Sequence, residues 1–137
     1  MAGRGWPLLS LVQVDSPALI WPVLEEALSR VKDKTGERWT PPFVLDRILN
    51  GQAGLFEFRD GEHLGWVVVE LCRQGELPWM NVWILEGDGL EKHEEAMPLI
   101  DKLAREVGAS AWRATGRKGW QRIGLKPIAT VYERVLL

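Results

Sequence analysis

The spacing of apolar residues changes twice along this 137-residue chain, and those changes constrain its fold more than any other feature. Apolar side chains recur at helical spacing over 19–31 and again over 44–49. Between 53 and 85 the chain instead carries three apolar, β-rich runs, and the first two flank Asp60-Gly61, a dipeptide typical of hairpin turns. Helical spacing returns from about Leu90 to Val107. The sequence therefore predicts two helices, three strands and a third helix, in that order.

Capping residues and prolines locate the predicted helix starts. Ser16 before a proline predicts an N-cap, and Thr40 before two prolines predicts another. Pro22 and Pro98 lie inside helical patterns. Each of those two helices is therefore either kinked at its proline or begins later than the apolar pattern does.

Four further segments complete the predicted order of elements. They are a first strand over Leu8–Val14, a strand over Ser110–Thr115, a short helix over Lys118–Ile123 and a last strand over Ile128–Leu136. A strand, a crossover helix and another strand in sequence imply a parallel pair. We therefore expect an α/β (α+β) fold with a mixed, mostly antiparallel sheet flanked by helices. No repeat or linker divides the chain, so residues 1–137 are predicted to form a single domain.

Composition narrows the classes of function. The net charge is −2, which gives no global field for nucleic acid or anionic membranes. Cys72 is the only cysteine, so the chain has no internal disulfide and no multi-cysteine metal site, and we expect a buried, inert thiol. No apolar run is long enough to span a membrane, and no secretory signal is recognisable, which predicts a cytoplasmic protein.

The element order resembles that of the GNAT N-acyltransferase superfamily. The segment 103–109 resembles the end of that family's central helix, 120–125 its aromatic-x-x-x-Gly-aromatic element, and 131–136 its closing strand. The run Arg117-Lys118-Gly119-Trp120 is also similar to small GNAT-like proteins encoded among the structural genes of tailed phages. The resemblance implies acetyl-CoA as cofactor if the protein is an enzyme. It also implies a splayed pair of strands for pantetheine, backbone N–H groups for the diphosphate, and groups that move protons.

The diphosphate loop departs from the family pattern. That pattern is Arg or Gln, two residues, Gly, any residue, then Gly or Ala, whereas the matching positions 88–93 read Asp-Gly-Leu-Glu-Lys-His. Leu85, Gly87 and Gly89 remain as candidate cofactor contacts. Carboxylates crowd the loop, at Glu86, Asp88, Glu91, Glu94 and Glu95. Acidic residues are common at helix starts, but they take up the favourable interaction with the helix N-terminus that a phosphate would otherwise make. The sequence therefore argues against a bound cofactor.

Candidates for proton transfer are few. The family's usual acid is a tyrosine on the short late helix, and Trp120 stands at the matching position. Tyr132 is the only tyrosine, on the predicted last strand, where a packed ring is the ordinary explanation. Glu70 is the candidate base if it faces a cleft, although a solvated surface carboxylate is the expected state. His63 and His93 have no partner at triad or metal-ligand spacing, and no metal site is predicted.

One local basic cluster consists of Arg113, Arg117, Lys118 and Arg122, and it is interleaved with Trp112 and Trp120. A solvated rim, a protein interface and a nucleic-acid surface are all compatible with it, and nucleic acid is the least favoured. The first functional hypothesis is a GNAT-fold protein with a degraded acyl-CoA site. Such a protein would act by binding a protein partner, with phage structural proteins as the partner class and virion association as a consequence. The alternative is an active acetyl-CoA-dependent N-acetyltransferase.

Overall fold

A single sheet organises the chain in the computed structural model, which describes residues 9–75, 77–87, 95–114 and 134. Within those residues the sheet has five strands in the order β1-β2-β3-β4-β5. Their bounds are Ser10–Gln13, Gly54–Asp60, Glu62–Gln74, Leu77–Gly87 and Ala111–Ala114. The first three pairings are antiparallel and β4 pairs with β5 in parallel, which confirms the predicted mixed, mostly antiparallel sheet with one parallel pair.

The first helical layer is formed by α1 (Trp21–Thr35) and α2 (Pro41–Leu49). A 3-10 turn over Pro17–Ile20 precedes α1, and Pro22 is the second residue of α1, which confirms the later of the two predicted starts. Proline is tolerated there because the first N–H groups of a helix have no partner within it. The hairpin prediction is also confirmed, since Gly61 joins β2 and β3 at a φ of 75°, which favours glycine.

The two predicted N-caps differ in the structure. The hydroxyl of Thr40 accepts a hydrogen bond from the N–H of Phe43 at 3.4 Å, as predicted for a cap. Ser16 also stands at the predicted N-cap position, with Pro17 as the first helical residue, but its side chain makes no capping bond. The carbonyl of Ser16 instead accepts from the N–H of Leu19 at 3.1 Å, because the segment that follows is a 3-10 turn.

The crossover from β4 to β5 runs through α3 (Ala96–Glu106). Pro98 is the third residue of this helix, which again confirms a later start, while 90–94 lie outside the described residues. The indole N–H of Trp112 donates to a carboxylate oxygen of Asp101 at 2.7 Å and so ties β5 to α3. The predicted short helix at Lys118–Ile123 and all but one residue of the last strand lie outside the described residues as well.

The sheet separates two apolar cores. On the α3 side, Phe58 and Ile100 belong to a buried cluster with Val67, and on the other side Leu28 of α1 belongs to a cluster with Val68. Successive residues of β3 thus point to opposite faces, as the period of a strand requires. No helix within the described residues has both the length and the apolar character needed to cross a membrane.

Candidate functional site

β4 and β5 pair over only part of the length of β4. The parallel ladder runs from Trp79 beside Ala111 to Val82 beside Ala114. At that point β4 carries a bulge, because Val82 pairs with Val69 of β3 while the pairing resumes at Ile84. The extra residue is therefore Trp83, and a bulge bends its strand and increases the local twist. The described part of β5 ends at Ala114, and 83–87 continue β4 beyond the described β4–β5 ladder.

Two of the candidate cofactor contacts, Leu85 and Gly87, lie on this last segment of β4. Leu85 is half-buried and packs against the core on the α3 side, and Gly87 pairs with Gly65 of β3. Gly89 lies outside the described residues. The carboxylate of Glu86 lies 3.6 Å from the guanidinium of Arg30 on α1, with 15% of its side chain exposed. One of the carboxylates that the sequence places at this loop is therefore paired with a cation.

A row of polar side chains crosses the same sheet on the α2 side. Glu70 of β3 pairs in register with Asn81 of β4, which pairs in register with Arg113 of β5. The amide of Asn81 donates to Oε1 of Glu70 at 3.1 Å, and Nη2 of Arg47 on α2 lies 2.7 Å from Oε2 of Glu70. Both carboxylate oxygens of Glu70 thus accept hydrogen bonds from the protein itself.

Glu70 is not the solvated surface carboxylate expected from the sequence. Only 18% of its side chain is exposed, and 31% of the side chain of its partner Arg47. The two residues lie on different elements, so periodicity in β3 alone gives no sign of the pair. A signal does exist in α2, where Arg47 follows buried Val44 by three residues and therefore lies on the inward face. A cation on an inward face requires a partner, since charged residues are seldom buried alone.

Aromatic rings surround the guanidinium of Arg47. Its central carbon lies 5.8 Å from the ring centre of Trp83 and 5.9 Å from that of Phe43. Phe43 and Trp39 each contact Trp83 edge to face, with ring centres 6.1 Å and 6.3 Å apart. These contacts hold the bulge residue against α2 and fix Arg47 over Glu70.

Cys72 lies two residues beyond Glu70 on the same face and is half-buried. Burial raises the pKa of its thiol, the charge of Glu70 raises it further, and Arg47 opposes the change. A raised pKa keeps the sulfur protonated and weakly nucleophilic. The environment of Cys72 is therefore that of an inert thiol, although the side chain is less buried than the sequence suggested.

The basic cluster of the sequence is described only at Arg113. Its guanidinium carbon lies 4.8 Å from the ring centre of Trp79, a contact that the sequence analysis did not identify. Arg117, Lys118, Trp120, Arg122 and Tyr132 lie outside the described residues. His63 has a partner that its spacing did not reveal, because its Nδ1 lies 2.7 Å from Oε2 of Glu57 across the hairpin. The described residues contain no group of three side chains that could hold a metal ion.

Comparisons with known proteins identify the fold to which this arrangement of strands and helices belongs. No protein-family model and no curated protein matches the sequence. A ribosomal-protein-alanine N-acetyltransferase from Brucella melitensis biovar Abortus 2308 is 12% identical with a TM-score of 0.65, over 93% of this chain and 99% of that one. An aminoglycoside acetyltransferase from an uncultured soil metagenomic sample, in complex with trehalose, is 14% identical with a TM-score of 0.62, over 93% and 96%.

A third solved structure, the tetramutant of the BH1408 protein from Bacillus halodurans, is 10% identical with a TM-score of 0.68, over 93% of this chain and 99% of that one. At such low identities the likeness concerns the backbone, and it extends over nearly the full length of both chains. The order of strands, the parallel β4–β5 pair and the position of the crossover helix agree with this result. The chain therefore has the fold of the GNAT acetyltransferases.

Proposed function

We propose that this protein uses the GNAT fold to bind a protein partner and that its acyl-CoA site is degraded. The observation that carries the proposal is the state of Glu70, the candidate base that lies within the described residues. Its two oxygens accept from Arg47 and Asn81, so the carboxylate fastens α2 to the sheet. Each oxygen still has a second lone pair, but the bonds to Arg47 and Asn81 fix the carboxylate within the protein, which is the arrangement expected of a structural carboxylate rather than of a base that must reach a substrate proton.

The sequence around the cofactor loop supports the same proposal. Asp88 and Glu91 stand at sequence positions that match the family's diphosphate loop, Glu94 directly follows them, and the basic residue that opens the family's loop is missing. Like charges repel by about 1 kcal/mol at 4 Å in water and by more when they are desolvated. Trp120, at the position of the family's acid, has no acidic proton to donate.

Isothermal titration calorimetry with acetyl-CoA and with CoA tests the loss of the cofactor site. The proposal predicts no measurable heat for either compound. Dissociation constants in the micromolar range, weakened by replacing Gly87 and Gly89 with bulky residues, would overturn it. Replacing Gly36, which follows α1 on another part of the chain, with the same residues is the matched control for damage to the fold.

An active N-acetyltransferase is the second candidate, and the last segment of β4 favours it. The half-buried Leu85 on this segment offers an apolar contact for the pantetheine that the GNAT resemblance implies. The test is an assay for transfer of the acetyl group from acetyl-CoA to an amine. The acceptors are an aminoglycoside and a peptide that begins with alanine, because the two acetyltransferases described above are named for these substrates. Turnover that falls in Glu70→Gln but not in Glu26→Gln would establish this candidate in place of the first.

The identity of the partner is a separate step of the proposal. The likeness of Arg117-Lys118-Gly119-Trp120 to small GNAT-like phage proteins supports a phage structural protein as the partner and a place in the virion or in its assembly. Affinity capture from infected and from uninfected lysate, followed by mass spectrometry, tests this. We expect a phage structural protein that is retained by the wild type and lost by Trp120→Ala, while Trp39→Ala retains it. Capture of none, or equal loss in both folded variants, would contradict the proposal.

A further inference from the structure

Trp79 and Arg113 form an exposed cation–π pair on the side of the sheet that carries α2. Trp79 pairs in register with Cys72 of β3 and with Ala111 of β5, and Arg113 lies two residues further along β5, beside Asn81. The ring of Trp79 is half-buried, whereas Arg113 and Ala111 are exposed. The indole ring and the guanidinium together present a surface that is open to solvent.

Within the part of the chain that the structure describes, the charged side chains next to this surface are paired with one another and Arg113 is the exception. Arg47 and Glu70 are paired with each other at 2.7 Å, and burial and Glu70 both raise the pKa of Cys72, so that its thiol is neutral. Among the residues that the structure describes, none forms an ion pair with Arg113. The pair therefore carries a net positive charge.

The contact with Trp79 orders the guanidinium without using its hydrogen-bonding capacity. Stacking on an indole ring uses the flat face of a guanidinium, while its five N–H donors lie in the plane of the group. A carboxylate accepts two of these donors side by side, which makes the contact directional as well as electrostatic. An arginine held in place on a ring loses less side-chain entropy on binding than a mobile one does.

We propose that Trp79 and Arg113 bind a carboxylate side chain of an acidic protein segment. This inference rests on the proposed binding function and names the chemistry of the partner. Charge complementarity indicates that the ligand is an anion, and the net charge of the chain together with the single guanidinium indicates which class of anion. With a net charge of −2 the chain lacks the broad positive field that nucleic-acid backbones require, whereas a single ordered guanidinium suits a single carboxylate. The indole ring adds an apolar surface for the methylene groups of a glutamate.

Fluorescence anisotropy of a labelled poly-glutamate peptide, titrated with the full chain at low salt, tests the proposal. We expect binding that weakens about tenfold in Arg113→Ala, since a charge-assisted bidentate contact is lost. Trp79→Phe keeps an apolar ring and should weaken binding less than Arg113→Ala does. Arg73→Ala is the matched control, because Arg73 is also exposed but its position on β3 points it to the opposite face of the sheet.

Cys72 provides a second readout, since it is the only cysteine of the chain and lies directly beside Trp79. Saturating poly-glutamate should slow alkylation of Cys72 in the wild type and not in Arg113→Ala. Absent binding, equal weakening in Arg73→Ala, or tighter binding of a poly-thymidine oligonucleotide would each overturn the inference. If the chain captures a protein partner that Trp120→Ala loses but fails to bind poly-glutamate, the proposed function stands and this inference alone fails.

Discussion

At the scale of single residues, Glu70 shows how one carboxylate joins two layers of the fold. It accepts from Arg47 of α2 and from Asn81 of β4, at 2.7 Å and 3.1 Å. Glu70→Gln should lower the free energy of unfolding by about 1–3 kcal/mol, because it leaves the partly buried guanidinium without its charged partner. Urea denaturation followed by circular dichroism measures this change.

Glu26→Gln is the matched control for that measurement. Glu26 also faces an arginine, Arg30, but at 3.8 Å and with 77% of its side chain exposed. Exposed pairs of this kind contribute about 0.3–0.5 kcal/mol at most in a helix. Equal effects of the two substitutions would show that the Glu70–Arg47 pair is no stronger than a surface contact. Glu70 would then not be what holds α2 to the sheet.

The thiol of Cys72 gives a prediction that depends on pH. Burial and the charge of Glu70 raise its pKa, and Arg47 opposes that rise. Removing the negative charge in Glu70→Gln removes one cause of the rise and leaves Arg47 in place, so the pKa should fall. Alkylation follows the thiolate, and its pH profile should therefore move to lower pH in this variant. An unchanged or upward-shifted profile, measured with iodoacetamide in the folded protein, would contradict this electrostatic account.

The residues of the candidate site were only partly predictable from sequence. The sequence offers Glu70 as a carboxylate on the second strand of the predicted hairpin, but it predicts a solvated side chain because the partner, Arg47, lies on another element. The contact of Trp79 with Arg113 was missed for the same reason, since it depends on the register of β4 against β5. Local patterns identify polar residues on a buried face, but only the paired register shows which of them meet.

At the scale of elements, the two predicted helix caps provide a direct comparison. The hydroxyl of Thr40 accepts a hydrogen bond from the N–H of Phe43, whereas the side chain of Ser16 makes no capping bond. Thr40→Ala should therefore cost about 1 kcal/mol of unfolding free energy. Ser16→Ala should have almost no effect by the same urea measurement. A larger loss at Ser16 than at Thr40 would mean that the 3-10 turn depends on its serine hydroxyl.

Helix starts and the hairpin were predictable because their signals are local. Pro22 and Pro98 could only lie in the first turn of a straight helix or at a kink, and in both helices the structure has the first arrangement. The bulge at Trp83 could not be predicted in this way. It arises from the pairing of β4 with β3, and no glycine or other turn residue marks it in the sequence.

At the scale of the whole molecule, the order of elements was sufficient to predict the fold, while the function depends on details that the order does not contain. A mixed sheet with one parallel pair follows from the crossover between β4 and β5, and the similarity to the acetyltransferase structures extends over more than nine tenths of each chain. Whether such a fold binds acetyl-CoA depends on a few side chains at the end of β4 and in the segment that follows it in the sequence. Fold and function are therefore tested by different experiments.

The prediction of a single domain is tested through the two cores. Val67 and Val68 are neighbours on β3 that point into opposite cores, so loosening one core should disturb the sheet that supports the other. Leu28→Ala and Ile100→Ala, one in each core, should each cost about 2–5 kcal/mol. Each variant should unfold in one transition with the same urea midpoint by circular dichroism and by tryptophan fluorescence. Two separated midpoints in either variant would show instead that the two sides of the sheet unfold independently, because the shared strand would then fail to couple them.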